Sequence, residues 1–281
     1  MELKLEHVSH VYNPGSPFET RALDDVSMTI GDSEFIGMIG HTGSGKSTLV
    51  QHLNGLLLPT EGKVLADGQD ITADHYPLKD LRCRVGLVFQ YPEYQLFESD
   101  VLSDVSFGPK NQGLSADEAA GKAREAMRIV GLDESFEKRS PFELSGGQKR
   151  KAAIAGILAM TPEILVLDEP TAGMDPGGRN EILDFLKRLH GEKGISIVLI
   201  SHSMEDVADY VSRIVVLDKG KICWDDAPEK IFVHVKELEE IGLAAPQVSY
   251  VMSALRERGW NVDPSAATID AAAAEILRAC Q

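Results

Sequence analysis

The sequence predicts an α/β fold built on a parallel core sheet, and three observations support this. Short apolar runs at Glu34–Ile39, Ile164–Leu167 and Ser196–Ile200 have the length of buried strands. They are apolar along nearly their whole length, as strands are when both faces of a sheet are covered. Helical patterns at about 46–57, 101–131 and 178–190 alternate with these runs, which places helices on both faces of the sheet. Lastly, the first run passes straight into a glycine-rich loop, Gly40-His41-Thr42-Gly43-Ser44-Gly45, and then into a helix starting near Lys46.

Ahead of this core, residues 3–12 and 22–30 alternate as the strands of an antiparallel β subdomain do. Pro59-Thr60-Glu61-Gly62 reads as a turn, and Leu87-Val88-Phe89 as a short strand ending at Gln90. From about Val101 to Gly131 the pattern becomes helical, with Ala-rich and charged faces. Past Ala227 the chain turns helical again, and Asp263-Pro264-Ser265 leads into a short terminal helix.

Composition narrows the function. At 281 residues there is room for one large or two modest domains with a substantial core. A net charge of −16 argues against nucleic acid as the main partner, because phosphate backbones need clustered Lys and Arg. Cys83, Cys223 and Cys280 are odd in number and far apart, so neither a disulfide framework nor a metal spacing is visible, and a reducing compartment is expected. The opening Met1–Glu6 alternates like a strand, with no apolar signal core. No apolar run reaches the length of a membrane span, so any membrane involved is spanned by another protein.

Three motifs carry chemistry. In Gly40-x-x-x-x-Gly45-Lys46-Ser47 the glycines let backbone N–H groups wrap phosphate oxygens, and the helix start favours negative charge. Lys46 then reaches the outer phosphates and the Ser47 hydroxyl ligates Mg²⁺. The candidate ATP loop runs through Gly40, His41, Thr42, Gly43, Ser44, Gly45, Lys46, Ser47 and Thr48. Asp168 and Glu169 follow the apolar run at the strand's C-terminal end, where open α/β sheets bind ligands. Asp168 suits a magnesium ion held through water, and Glu169 suits a general base. Leu144-Ser145-Gly146-Gly147-Gln148 is a second serine-and-glycine start to a helix. The plainer reading of each is a solvated turn or strand end, and it weakens once all three occur together in this order.

On these residues the chain resembles the nucleotide-binding subunit of ABC transporters. Gly40–Ser47 matches the Walker A loop, Leu144–Gln148 the signature and Asp168-Glu169 the Walker B end. Gln90 matches the Q-loop glutamine, Ala172–Asp175 the D-loop and Ser201-His202 the switch histidine; Met174 stands where leucine is usual. The resemblance implies a P-loop NTPase of ABC type in which two chains sandwich two ATP molecules. Ser145, Gly146, Gly147 and Gln148 would then meet an ATP held by the partner chain. Asp175 would join the nucleotide site, His202 would contact the γ-phosphate and position Glu169, and Gln90 would sense the nucleotide and its metal. Tyr12 falls where the family places an aromatic against adenine; the plainer reading is a core strand residue.

A narrower resemblance, to the ATPases of energy-coupling-factor importers, rests on Phe89–Phe97, Asp104–Asn111, Gln51–Leu56, Ser140–Leu144, Ile154–Met160 and Glu169–Gly173. It implies import of a vitamin or transition-metal micronutrient, driven from the cytoplasmic face of the membrane. The partners implied are a second related ATPase, a transmembrane coupling subunit and a substrate-binding membrane subunit. The alternatives are the ATPase of another ABC importer and a soluble ATP-gated clamp. Residues 1–226 form the ATPase domain, with a helical subdomain at about 91–160, and 227–281 form a C-terminal dimerisation domain. Tyr91, Tyr94, Leu96 and Phe97, with Glu93, Glu98 and Asp100, are the expected acid-rimmed groove for a membrane partner's helix.

Overall fold

The computed structural model describes residues 1–280. In chain order the elements are β1 (Leu3–Tyr12), β2 (Thr20–Ile30), β3 (Phe35–Ile39), α1 (Lys46–Leu53), β4 (Glu61–Ala66), β5 (Gln69–Asp70), α2 (Leu78–Arg84) and β6 (Val85–Val88). A 3₁₀ turn at Pro92–Gln95 leads into α3 (Val101–Asn111), α4 (Ala116–Ile129) and α5 (Gly146–Leu158). The chain continues through β7 (Ile164–Asp168), α6 (Pro176–Lys193), β8 (Ser196–Ile200), α7 (Met204–Tyr210), β9 (Arg213–Asp218) and β10 (Lys221–Asp226). It closes with α8 (Pro228–Ile231), α9 (Val235–Glu240), α10 (Gln247–Glu257) and α11 (Ile269–Ala279).

The core sheet has the order β10-β9-β3-β8-β7-β6; its central strands run parallel and β10 is an antiparallel edge. A separate antiparallel sheet has the order β2-β1-β4-β5. Period-two alternation divides the core between them. Ile36, Met38, Val166, Val198 and Ile200 pack with α1 and the antiparallel sheet. Phe35, Ile39, Leu165, Leu167, Ile197 and Leu199 face the other way and pack with α3 to α7. Every residue of β3, β7 and β8 is buried, as the uninterrupted apolar runs require.

Several boundaries differ from the sequence reading. Helix α1 stops at Leu53 rather than near Leu57, because Gly55 adopts φ 65° and turns the chain toward α2. The strand expected at 87–89 is β6 at Val85–Val88, paired along its length with Ile164–Leu167. Its start was hidden by Gly86, whose missing side chain makes room for Ile157 and removes the apolar signal. The helical stretch from 101 to 131 splits at Gly113, and α4 begins on a reciprocal Ser115–Glu118 capping box. Strands β4, β9 and β10 and helix α2 were not anticipated.

The tail has two parts. Helices α8 and α9 bury Ile231, Phe232, Val235 and Leu238 in the main core. Helices α10 and α11 close on a small core of their own around Met252, Val262 and Ala272.

Candidate active site

Gly45 caps α1 with φ 108°, and a Cβ there would lie 2.6 Å from the Ala22 carbonyl oxygen. Glycine is therefore demanded by the fold at this position. Lys46, first residue of the helix, is buried, and its Nζ donates to the Gly40 carbonyl at 2.7 Å and the His41 carbonyl at 2.9 Å. Burial pushes its pKa down, opposed by the nearby charges of Glu169 and Asp168.

Next to it, Ser47 Oγ donates to Asp168 Oδ2 at 3.0 Å. Asp168 ends β7 and is buried, which raises its carboxyl pKa; the Ser47 hydrogen bond opposes the shift. Glu169 follows with φ 49°, a left-handed conformation unusual for a residue with a side chain and common at functional sites. Its N–H donates to the Ile200 carbonyl at 3.1 Å, fixing the turn against β8. Its two carboxylate oxygens are gripped separately: Gln90 Nε2 donates to Oε2 at 2.8 Å, and His202 Nε2 lies 2.7 Å from Oε1. A carboxylate anchored at both oxygens is aimed rather than free to rotate.

These groups share a cavity of about 600 Å³, lined by Tyr12, Lys46, Ser47, Gln90, Glu169 and His202 among others. Thr42, Gly43, Gly45 and Thr48 also reach it. Tyr12 is partly exposed there, with its Oη 3.2 Å from Thr48 Oγ1 and its ring edge-on to His10. Residues far apart in sequence thus meet on one surface, because β3, β6, β7 and β8 all end on the same side of the sheet.

Other expected site residues stand elsewhere. Gly40 and His41 contribute carbonyls to the Lys46 ammonium, and the His41 ring pairs with Asp218 at 2.9 Å. Ser44 is fully buried beneath the loop. Asp175 caps α6, accepting from the Gly178 N–H at 3.0 Å, and such backbone bonds hold its carboxyl below the usual range. Ser145 and Gln148 form a reciprocal capping box on α5, and none of Ser145, Gly146, Gly147 and Gln148 lines the cavity. A Cβ built on Gly146 or Gly147 meets nothing within 4 Å, so this chain's own packing asks for neither glycine.

The sequence reading missed Thr20, Arg21 and Ala22, which line the cavity. Pairing of Tyr12 with Thr20 and Val11 with Arg21 across the β1–β2 hairpin puts them there, and the strand alternation around Tyr12 was the available signal. Of the expected groove residues, Tyr91, Tyr94 and Phe97 are exposed, whereas others are engaged within the chain. Leu96 is buried in the core, and the Glu93 carboxylate pairs with Arg150 at 2.9 Å. Asp100 is occupied as the cap of α3. The apolar cavity that does lie there, about 440 Å³, is lined by Leu96, Phe97, Phe107, Ile157 and Met160, with Lys79, Arg82 and Asp104 around them. Its charged margin is mixed, not acidic.

Comparison with known proteins agrees with this geometry. The ABC transporter family profile matches residues 23–172, more than half of the chain. An energy-coupling factor transporter ATP-binding protein, EcfA2, of Clostridium tetani is 53% identical, with 99% of this chain and 97% of the relative covered. The EcfA2 protein of Caldanaerobacter subterraneus is 52% identical over the same shares of the two chains. Among solved structures, cbiO1 from Clostridium perfringens, described as part of the ABC transporter complex cbiONQ, superposes with a TM-score of 0.75 at 35% identity, covering 89% of this chain and 98% of that one. The cassette MJ0796, in a dimeric post-hydrolysis state bound to ADP and Pi, superposes with a TM-score of 0.71 at 31% identity, covering 80% and 98%. The chain belongs to the ABC transporter family, among the energy-coupling factor ATP-binding proteins that hydrolyse ATP to power transport.

Proposed function

We propose that this chain supplies one half of each of two ATP sites in an importer of a vitamin or transition-metal micronutrient, working at the cytoplasmic face of the membrane. The observation that carries the reading is Glu169, held at both oxygens by Gln90 and His202 beside Lys46, Ser47 and Asp168. Glu169 is the general base: it takes a proton from the attacking water and orients it toward the γ-phosphate. Lys46 binds the outer phosphates, and Tyr12 offers its ring to adenine.

The residues present suit a magnesium ion. Ser47 and Asp168 place a hydroxyl and a carboxylate oxygen together, Gln90 lines the same cavity with an amide oxygen, and these are the hard donors Mg²⁺ prefers. Bound with ATP, the ion would neutralise charge on the phosphates, and it would also relieve the cost of ionising the buried Asp168. Among the described residues there is no cluster of three or more His, Cys, Asp or Glu, and phosphate oxygens and water would complete the shell of the ion.

The other half of each site comes from a second, related ATPase. The open space around Gly146 and Gly147 supports an approach from outside by phosphate held on that partner. Among the described residues no helix is long and apolar enough to cross a membrane, which leaves the crossing to a transmembrane coupling subunit and a substrate-binding membrane subunit. The apolar cavity at Phe97 and Phe107 is the candidate seat for the coupling subunit. A soluble clamp is disfavoured because α4, with 14 residues, is the longest helix between the phosphate loop and α5. Isolation of the tagged chain from solubilised membranes tests the reading. The expected result is a complex holding a second ATPase and two membrane proteins, with ATP hydrolysis that needs Mg²⁺; recovery of the chain alone, active without partners, contradicts it.

A further inference from the structure

Arg150 lies in the second turn of α5, only 4% exposed. Its guanidinium donates four hydrogen bonds and joins two segments that lie far apart in the sequence. On one side Nη2 and Nε donate to the two carboxylate oxygens of Glu93, at 2.9 and 3.2 Å. On the other side Nη1 donates to the backbone carbonyls of Pro170 and Ala172, at 3.0 and 2.9 Å. Those carbonyls belong to the loop that leaves Glu169, and Ala172 N–H closes that loop onto the Glu169 carbonyl at 3.1 Å. Glu93 belongs to the 3₁₀ turn at Pro92–Gln95, between Gln90, which holds Glu169, and Gln95–Phe97, which line the apolar cavity.

We propose that Arg150 is a positioning residue for ATP hydrolysis: through Glu93 on one side and the Pro170 and Ala172 carbonyls on the other, it locks segment 90–97 to the loop carrying Glu169. The physical ground is the shape of guanidinium. One planar, permanently charged group serves a carboxylate fork and two carbonyls at once, which a single ammonium cannot do. The carbonyls are acceptors without side chains to move, so the backbone following Glu169 is fixed relative to α5. Displacement of the 3₁₀ turn by anything seated against Phe97 is then felt at Glu169 by two routes, Gln90 and Arg150. A general base must be placed to a fraction of an ångström, so a loosened loop costs rate rather than binding. Arg150 does not itself line the cavity of Tyr12 and Lys46, so its loss is expected to fall on rate more than on nucleotide binding.

The test is steady-state ATP hydrolysis by the full chain in its assembled complex, with rates counted per nucleotide bound so that any misfolded fraction drops out. Arg150→Lys keeps the charge but not the fork; kcat should fall on the order of tenfold while KM for ATP stays within about twofold. Glu93→Gln leaves the two carbonyl bonds in place and should lose less. The swap of Glu93→Arg with Arg150→Glu restores attraction but puts a carboxylate against carbonyls, so kcat should stay low. An Arg150→Lys complex that hydrolyses at the parental rate overturns the proposal, and so does a swap that restores kcat, since that would make the pair a simple ion bridge. The inference rests on Glu169 as general base, and the two can fail separately. If the base assignment is wrong, Glu169→Gln hydrolyses normally; if only the positioning role is wrong, Glu169→Gln is inactive and Arg150→Lys is unimpaired.

Discussion

The carboxyl of Asp168 is buried at the end of β7, between the Ser47 hydroxyl and the ammonium of Lys46. Burial raises its pKa, so the folded chain prefers the protonated acid more than the unfolded chain does. The sign follows from linkage: stability declines as pH rises from the ordinary aspartate range through the raised value, and the cost is absent in acid. Asp168→Asn removes that cost while keeping an oxygen to accept from Ser47. The variant is expected to melt higher than the parent at pH 7 without nucleotide or Mg²⁺, with the difference vanishing in acid, and to lose hydrolysis. A melting curve at two pH values checks the first part; an unchanged or lower melting temperature at pH 7 contradicts it. Lys46 is expected to behave differently, because in the proposed function its ammonium is the phosphate's partner. Lys46→Ala should weaken ATP binding itself, read as the loss of fluorescent-nucleotide binding at concentrations that saturate the parent.

At the scale of elements, the two glycine-rich helix starts are built for opposite reasons. Gly45 has a positive φ and a carbonyl where a Cβ would go, so Gly45→Ala should destabilise the fold. Gly147 lies in the first turn of α5 with open space around it, so Gly147→Ala should leave stability unchanged or raise it by up to about 1 kcal/mol through helix preference. The same substitution should nonetheless cut hydrolysis in the assembled complex, because in the proposed function a phosphate from outside occupies that space. Equal loss of stability in both variants, read by thermal melting, would remove that distinction. The contrast also shows how legible each site was. Loop and strand-end motifs could be read because glycines, lysine and paired acids fall at short fixed spacings beside apolar runs. Arg150 could not, since Glu93, Pro170 and Ala172 are brought to it only by packing of α5 against the sheet. Strand β10 was missed because it alternates half-buried and exposed residues at a sheet edge, whereas β9 offered an apolar run, Ile214–Leu217, as clear as that of β7.

For the whole molecule, the tail is the part whose role the catalytic geometry does not touch. Helices α8 and α9 complete the main core through Phe232 and Leu238, whereas α10, α11 and the loop between them form their own small core and expose Val251, Trp260, Ile269 and Leu277. Truncation from residue 247 should therefore leave folding and ATP binding intact and lower recovery of the ATPase pair without ATP; undiminished recovery would show that α10 and α11 do not hold the pair together. Truncation from residue 227 should cost several kcal/mol in stability, about what losing buried Phe and Leu side chains implies. In the function proposed above, the arrangement as a whole aims Glu169 at water once two chains have closed on ATP. The most direct measurement is ATP turnover by the assembled complex with Glu169→Gln, alongside ATP binding by the same preparation. The account predicts full nucleotide occupancy with turnover abolished and transport abolished with it. Turnover at the parental rate would contradict it, because the proton would then be leaving the water by a route that does not include the carboxylate held between Gln90 and His202.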